Sequence, residues 1–283
     1  MKRFLTVLLA ALTALTLVFG LAACGEDNGA DKQTGVRYTT DKNGGYVVYG
    51  YTAEEGVTEL DIEAAVKAKS GDANAKVVKI KEGAFNGNST LESVIVPGTV
   101  TEIAGGAFKN MKSLKKITLP FVGKNIKADA VINPSQGDKG KAVDSEKSFG
   151  YIFGTDEYEG GAKIAFDYGQ DSNLTVYVPM TLRTVVINPA ADYELPAYAF
   201  AGLTMVPEVT FDDKVVGIGE SAFEGAASIL TLKISESVIH VYKNAFKDYK
   251  GEKIEYAGSE AAWNDLVKDA ALPTDYKTVS FAK

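Results

Sequence analysis

Apolar and polar positions along this chain follow a period of 23 residues, most visible in the dipeptide Ala-Phe. It occurs at Ala84-Phe85, Ala107-Phe108, Ala199-Phe200, Ala222-Phe223 and Ala245-Phe246. The two clusters are in phase: 92 residues, four periods, separate Ala107 from Ala199. A fixed period of this length predicts a solenoid of stacked repeats. Stacked repeats build extended faces instead of closed pockets, so the pattern points to surface recognition before catalysis.

Aligning the copies predicts the elements of each repeat. One unit reads Leu91-Glu-Ser-Val94-Ile-Val96-Pro97, then Val100, Ile103 and Ala107-Phe108; the next begins Leu114-Lys-Lys-Ile117-Thr-Leu119-Pro120. Later copies hold Val206, Val209, Phe211, Val215, Ile218 and Ala222-Phe223, then Ile229, Leu232, Ile234, Val238, Val241 and Ala245-Phe246, while Val77 and Ile80 precede Ala84. Alternating apolar residues predict a short strand with one buried face. The proline after Val96 or Leu119 has no N–H to donate and ends that ladder. Alanine suits a close approach of backbones, and each phenylalanine should stack on the next. The residues that reveal the period are therefore core, and function falls to the positions between them.

These residues resemble the leucine-rich repeats of the BspA-like surface proteins of bacteria, from roughly Tyr46 to the C-terminus. The middle, Phe149-Gly-Tyr-Ile-Phe-Gly154, Tyr177-Val-Pro179, Leu182, Val185, Ile187 and Leu195-Pro-Ala-Tyr-Ala-Phe200, is similar to a variant stretch of that family. Ile254-Glu-Tyr256-Ala-Gly258 and Trp263-Asn264 resemble its closing segment. Cysteine, which many members carry after Ala-Phe, is replaced here by Asn, Lys, Gly or Tyr. The resemblance implies an α/β-poor repeat solenoid with short parallel strands, an irregular central insertion and a C-terminal cap. It also implies binding of a protein or other macromolecule at a cell surface, adhesion being one version.

The first residues carry a different signal. Lys2 and Arg3 precede an apolar run, Phe4 to Ala23, which ends in Leu21-Ala-Ala-Cys24. This reads as a secretory signal and resembles the lipobox of bacterial lipoproteins, which implies acylation of Cys24. A membrane-spanning helix is the alternative. Gly25 to Gly45, almost free of apolar residues, reads as a flexible tether. The expected organisation is a signal peptide over 1–23, a linker over 24–45, repeats over 46–257 with an insertion at about 121–180, and a cap over 258–283. The expected location is extracytoplasmic, held on the bacterial membrane by lipid.

Composition narrows the chemistry. Without Lys2 and Arg3 the net charge moves from −7 to about −9, unfavourable for binding nucleic acid. Cys24 is the only cysteine and His240 the only histidine. Thiolate zinc, an internal disulfide and a two-His metal site are thereby excluded, and a Ser-His-Asp triad is weakened. His240 stands where Glu102 and Gly217 stand in other copies and is expected to be exposed. Gly217-Ile-Gly219-Glu-Ser-Ala222 mimics a dinucleotide fingerprint, but the period explains it as a repeat turn. Asp156, Glu157 and Glu159 could in principle bind calcium; a solvated loop is the simpler reading. No cofactor, metal site or catalytic residue is assigned, and an enzyme, hydrolytic if any, ranks behind both binding readings.

Between the clusters the period fades. Ile126 and Ala130-Val131 fit a degenerate copy, and Asn133 to Asp171 is rich in Gly, Asp, Lys and Ser. The insertion's Tyr151, Phe153, Tyr158, Phe166 and Tyr168 are read as packing residues first and as partner anchors second. On the strands, the residue between two buried apolars should face outward. This places Ile95, Thr118, Val186, Thr210 and Lys233 in one strip, flanked by Ser93, Lys116, Glu208 and Thr231. Its mixed character suits a protein or glycan. The alternative function is a small-ligand or glycan receptor of a transport system. Beyond the repeats, Ala261 to Val267 has helical spacing, Thr278 to Phe281 fits a last strand, and Trp263 should plug the cap.

Overall fold

The computed structural model describes residues 34–127, 130, 145–167, 173–272 and 279–282, all within the second of two units, Gln33–Lys283. Cys24, Val131, Tyr168 and most of the expected signal and tether lie outside the described residues.

Short alternating segments form the strands that stack side by side. The chain first forms β1 (Gly35–Thr40), β2 (Tyr46–Thr52), β3 (Glu59–Asp61), β4 (Val77–Ile80), β5 (Ser93–Ile95), β6 (Glu102–Ile103) and β7 (Lys116–Leu119). It continues through β8 (Gly161–Asp167), β9 (Asn173–Pro179), β10 (Thr184–Ile187), β11 (Tyr193–Glu194) and β12 (Glu208–Phe211). Last come β13 (Val215–Ile218), β14 (Thr231–Ile234), β15 (His240–Val241), β16 (Lys253–Tyr256) and β17 (Val279–Phe281). Eight of them form one parallel sheet in the order β3-β5-β7-β10-β12-β14-β16-β17. A second strand in each regular coil builds a shorter ladder, β2-β4-β6 in the first half and β11-β13-β15 in the second. Sequence reading finds only one strand per repeat, because two paired residues such as Glu102-Ile103 are too few to show alternation.

The third side of each coil is the Ala-Phe turn. Its backbone bonds directly to the next coil: Phe85 N–H donates to Ala107 C=O at 2.8 Å, Phe200 to Ala222 at 2.7 Å and Phe223 to Ala245 at 2.8 Å. The rings lie nearly parallel, with centroids 5.0 Å apart for Phe85–Phe108, 5.2 Å for Phe200–Phe223 and 5.6 Å for Phe223–Phe246. Each such pair adds about 0.5–1.5 kcal/mol beyond its area burial. All five phenylalanines are buried.

Two residues with positive φ bracket every Ala-Phe. Before it stand Gly83, Gly106, Tyr198, Ser221 and Asn244; after it come Gly87, Asn110, Gly202, Gly225 and Asp248. The chain must turn twice in four residues to bring the ring inward, and only the left-handed conformation does so. Where the residue is not glycine, the conformation costs about 1–2 kcal/mol.

The middle of the chain differs from the expected pattern in three ways. β7 pairs directly with β10, Ile117 beside Val185, so the sheet continues unbroken beneath the insertion. The four-period phase between the clusters therefore does not correspond to three further strands in this sheet. Among the described residues the degenerate copy at Ile126 adds no strand either: Ile126 is exposed, and Asn125 makes an isolated bridge to Glu102. In its place a 3-10 helix, Phe149–Phe153, takes the turn position of a coil. Phe108 N–H donates to Ile152 C=O at 2.9 Å, and Phe149 N–H to Ala199 C=O at 2.8 Å. Phe153 and Phe149 carry the ring column from Phe108 across to Phe200. The polar text of the insertion hid this coil, since two rings four residues apart replace one Ala-Phe.

The hairpin β8–β9 lies over the turn side. Phe166 rests where a Cβ on Gly202 or Gly225 would meet it, at 3.0 and 3.2 Å, and it faces Tyr198 at 6.1 Å. Tyr158 packs on Tyr177 at 6.3 Å. Tyr151 is packed against the core cluster and near Gly105. Tyr151, Phe153 and Phe166 thus pack onto the solenoid, and Tyr158 packs onto the insertion's own hairpin.

Both ends are closed by atypical elements. Gly35 to Gly45, read from sequence as tether, contains β1 and the turn that folds it antiparallel onto β2. Val36 supplies the buried side chain that the polar composition concealed. A nine-residue helix, α1 (Ile62–Ser70), is capped by the Asp61 carboxylate, which accepts from Ala64 N–H at 3.0 Å, and ends at Gly71 in the left-handed region. This is ordinary capping chemistry, and it went unread inside the expected repeat domain. At the other end α2 (Glu260–Leu266) brings Trp263 onto Phe246 and Tyr256, at 6.1 and 5.4 Å. Trp263 is buried, as the plug role requires. β17 follows as the last strand.

Two consequences are measurable. Phe223 sits between two stacked rings, so Phe223→Ala should lower the unfolding free energy by about 3–5 kcal/mol in urea titration. Met180→Ala, at a half-exposed side chain, should change it by about 0.5 kcal/mol or less. Gly87 has φ +76° and open space around its missing Cβ. Gly87→Ala should therefore cost about 1–2 kcal/mol from backbone strain alone, whereas Asn110→Gly should be neutral or slightly stabilising.

Candidate functional site

The parallel register decides which residues share the outer face of the large sheet. Ile95 pairs with Thr118, Thr118 with Val186, Val186 with Thr210 and Thr210 with Lys233. The five strip positions expected from sequence thus form one row. The row extends further at both ends: Asp61 pairs with Ile95, Lys233 with Glu255 and Glu255 with Ser280. The alternation in Ile254-Glu-Tyr256 and Val279-Ser-Phe281 already carried that signal. A second row, Glu59, Ser93, Lys116, Thr184, Glu208, Thr231 and Lys253, runs alongside it.

Exposure varies along the row. Ile95 is 42% exposed, although its side chain is fully apolar. Val186, Thr210 and Lys233 are half-buried. Thr118 departs from the outward expectation at 9% exposed. It is a small side chain held between the branched Ile95 and Val186, so its neighbours shield it. Ile95, Val186 and Thr210 therefore form the accessible neutral stretch.

The charged end is internally paired. Lys233 donates to the Glu208 carboxylate across adjacent strands, and Lys253 contacts Glu255 at 2.5 Å. The hydrogen bond to Glu208 holds the Lys233 ammonium above the ordinary lysine range. Such surface pairs contribute about 0–1 kcal/mol, so their main effect is to fix the direction of the side chains.

Other sequence candidates take structural roles. Asp156 and Glu159 pair with Lys109 and Lys112, at 3.0 and 2.6 Å, and tether the insertion to the earlier coils. Among the described residues no group of three or more His, Cys, Asp or Glu is placed to hold a metal ion. His240 is exposed and pairs in register with Gly217. Gly219 lies where a Cβ would meet Leu195 C=O at 2.4 Å and Pro196 at 2.6 Å. That glycine serves the close approach of two coils, and its segment opens no helix, so the dinucleotide reading falls. No described helix is long and apolar enough to cross a membrane.

Comparison with known proteins agrees with this architecture. The family model described as BspA type leucine rich repeat region matches six copies, over residues 64–135 and 181–261. No curated protein matches the chain. Among solved structures it is similar to a leucine rich repeat protein of T. pallidum, with 12% identity, 89% of this chain and 92% of that one covered, and a TM-score of 0.35. It is also similar to a leucine rich cell surface protein of Faecalibacterium prausnitzii A2-165, with 16% identity, 91% and 96% covered, and a TM-score of 0.27. A leucine-rich repeat protein of Bacteroides ovatus ATCC 8483 matches at 15% identity, with 88% and 66% covered and a TM-score of 0.31. The repeat model spans more than half of the sequence, and its matched ranges include β4 to β7 and β10 to β16. The chain belongs to the BspA type leucine rich repeat family.

Proposed function

We propose that this protein is a lipid-anchored, extracytoplasmic binding protein of a bacterial cell surface. Its sheet face engages a protein or other macromolecular partner, with adhesion as one outcome. The observation that carries this reading is the in-register row from Asp61 to Ser280. Eight strands at a spacing of about 4.8 Å give it a length of about 34 Å. A standard footprint of about 800 Å² per partner is about 32 Å across. The row thus matches one macromolecular contact in length. Along the row the middle positions Thr118, Val186 and Thr210 are neutral and the charges Asp61, Lys233 and Glu255 stand toward its ends, while Lys116 and Glu208 of the neighbouring row bring charge beside that middle.

A small-ligand receptor of a transport system would close two lobes on its ligand. A single core cluster running from Val36 to Ala270 supports the flat-surface reading instead. The surface location rests on the residues before the tether: Lys2, Arg3, the apolar run and Leu21-Ala-Ala-Cys24. Two acyl chains on such a cysteine would give a stable anchor, at about 0.8 kcal/mol per buried CH₂.

Two experiments test the proposal. The full chain is first screened against immobilised host matrix proteins and cell-wall glycans. In the double variant Ile95→Asp, Thr210→Asp, affinity for any partner found should fall at least tenfold, with little change in melting temperature. Unchanged affinity would move the contact to the insertion. Separately, Cys24→Ser should abolish incorporation of radioactive palmitate and release the protein from the membrane fraction; persistent labelling would remove the lipid anchor from the proposal.

A further inference from the structure

At the C-terminal end of the strip the sheet face deepens into a groove of about 430 Å³. Its floor is apolar where the last strands end: Phe211, Ile234 and Tyr256 are buried, and Phe281 is partly exposed. Polar groups of both kinds stand above this floor. Asp213 and Glu255 supply carboxylates, Lys233 an ammonium, and Ser235 and Ser280 hydroxyls. Ser235 is buried and donates to the Asp213 carboxylate at 2.6 Å, which fixes that acceptor at the groove wall. The volume lies in the range of small-ligand sites, which combine an apolar lining with a few placed polar groups.

The chemistry of the lining selects among ligand classes. Lys233, the single cation among the described lining residues, is already bonded to Glu208. Glu255 is likewise bonded to Lys253, so the Asp213 carboxylate, held by Ser235, sets the sign of the groove and disfavours an anionic ligand. A lone basic side chain would find acceptors here, but it would leave the hydroxyl and ammonium donors without a role. A sugar ring meets all of them. Its hydroxyls can donate to Asp213 and Glu255 and accept from Lys233 and Ser280, while its C–H face lies on the partly exposed ring of Phe281.

We propose that this groove is a subsite for one or two residues of a neutral glycan. It rests on the reading that the sheet face binds partners, and it gives that reading a ligand class at one end of the strip. Binding of the full chain to arrayed neutral oligosaccharides (hexose, N-acetylhexosamine and pentose oligomers) would be measured, with titration calorimetry on the best responder. Trilysine and polygalacturonate serve as the basic and acidic probes. The expected result is binding of a neutral oligomer, weakened at least tenfold in Glu255→Ala and in Phe281→Ala. Binding should be unchanged in Met180→Ala, at an exposed side chain outside both the row and the groove.

Silence across the neutral array, or preference for trilysine or polygalacturonate, would overturn the proposal. So would a neutral oligomer whose affinity neither groove variant alters. Phe281→Tyr keeps a ring on the last strand and should restore binding if the alanine variant merely loosens the cap. Loss of macromolecular binding in Ile95→Asp with intact saccharide binding would separate the flat strip from the groove. Intact macromolecular binding in Ile95→Asp, with both kinds of binding lost in Glu255→Ala, would place all recognition at the C-terminal end.

Discussion

The fold depends on one repeated contact: a phenylalanine ring stacked on the ring of the next coil while its own backbone N–H reaches that coil's carbonyl. The two interactions restrain different freedoms. The hydrogen bond sets the vertical step, and the ring sets the depth to which the turn sinks into the core. Together they lock coil against coil, so the strands on the opposite side must pair without slippage. In a parallel sheet of three- and four-residue strands this matters, because a slip of one residue would turn every buried side chain outward. The column runs from Tyr51 through Phe85, Phe108, Phe153, Phe149, Phe200, Phe223 and Phe246 to Trp263 without a missing ring.

That continuity explains how the chain tolerates its central excursion. Between β7 and β10 more than sixty residues leave the sheet, yet the two strands are direct neighbours. Loop closure grows only slowly with length, by about 0.6 kcal/mol per doubling. What the excursion must supply is a ring at the right height, and Phe149 and Phe153 do so from a 3-10 helix. Lysines 109 and 112 then hold its acidic loop, while Gly202 and Gly225 leave room for Phe166.

Much of this was legible in the residues, and the failures share a cause. Alternation such as Val94-Ile-Val96 exposes both a strand and its outward position, and so carries the row from Ile95 to Lys233 in the residues themselves. Segments whose order comes from tertiary partners were not legible. β1 has Val36 as its clearest apolar anchor and looks like tether until β2 is placed beside it. From β4 onward the strands of the shorter ladders are two to four residues long and leave no alternation. Thr118 shows the limit of pattern reading at a site: its direction followed from alternation, but its accessibility depended on the size of the side chains on either hand. The groove beyond Lys233 was out of reach for the same reason, because its walls come from Asp213, Ser235 and Ser280 on different coils.

The pairing of β7 with β10 has a consequence for how such a surface could change over generations. Junctions between the regular Ala-Phe coils use the same hydrogen bonds and near-parallel rings, so those joints are interchangeable. Duplicating or deleting a stretch of about 23 residues would leave compatible faces on both sides of the edit. The recognition surface would grow or shrink by about 4.8 Å at a time, while both closed ends stayed as they are. Length, and with it the reach of the face, is thus an inheritable setting that can vary without redesign of the core.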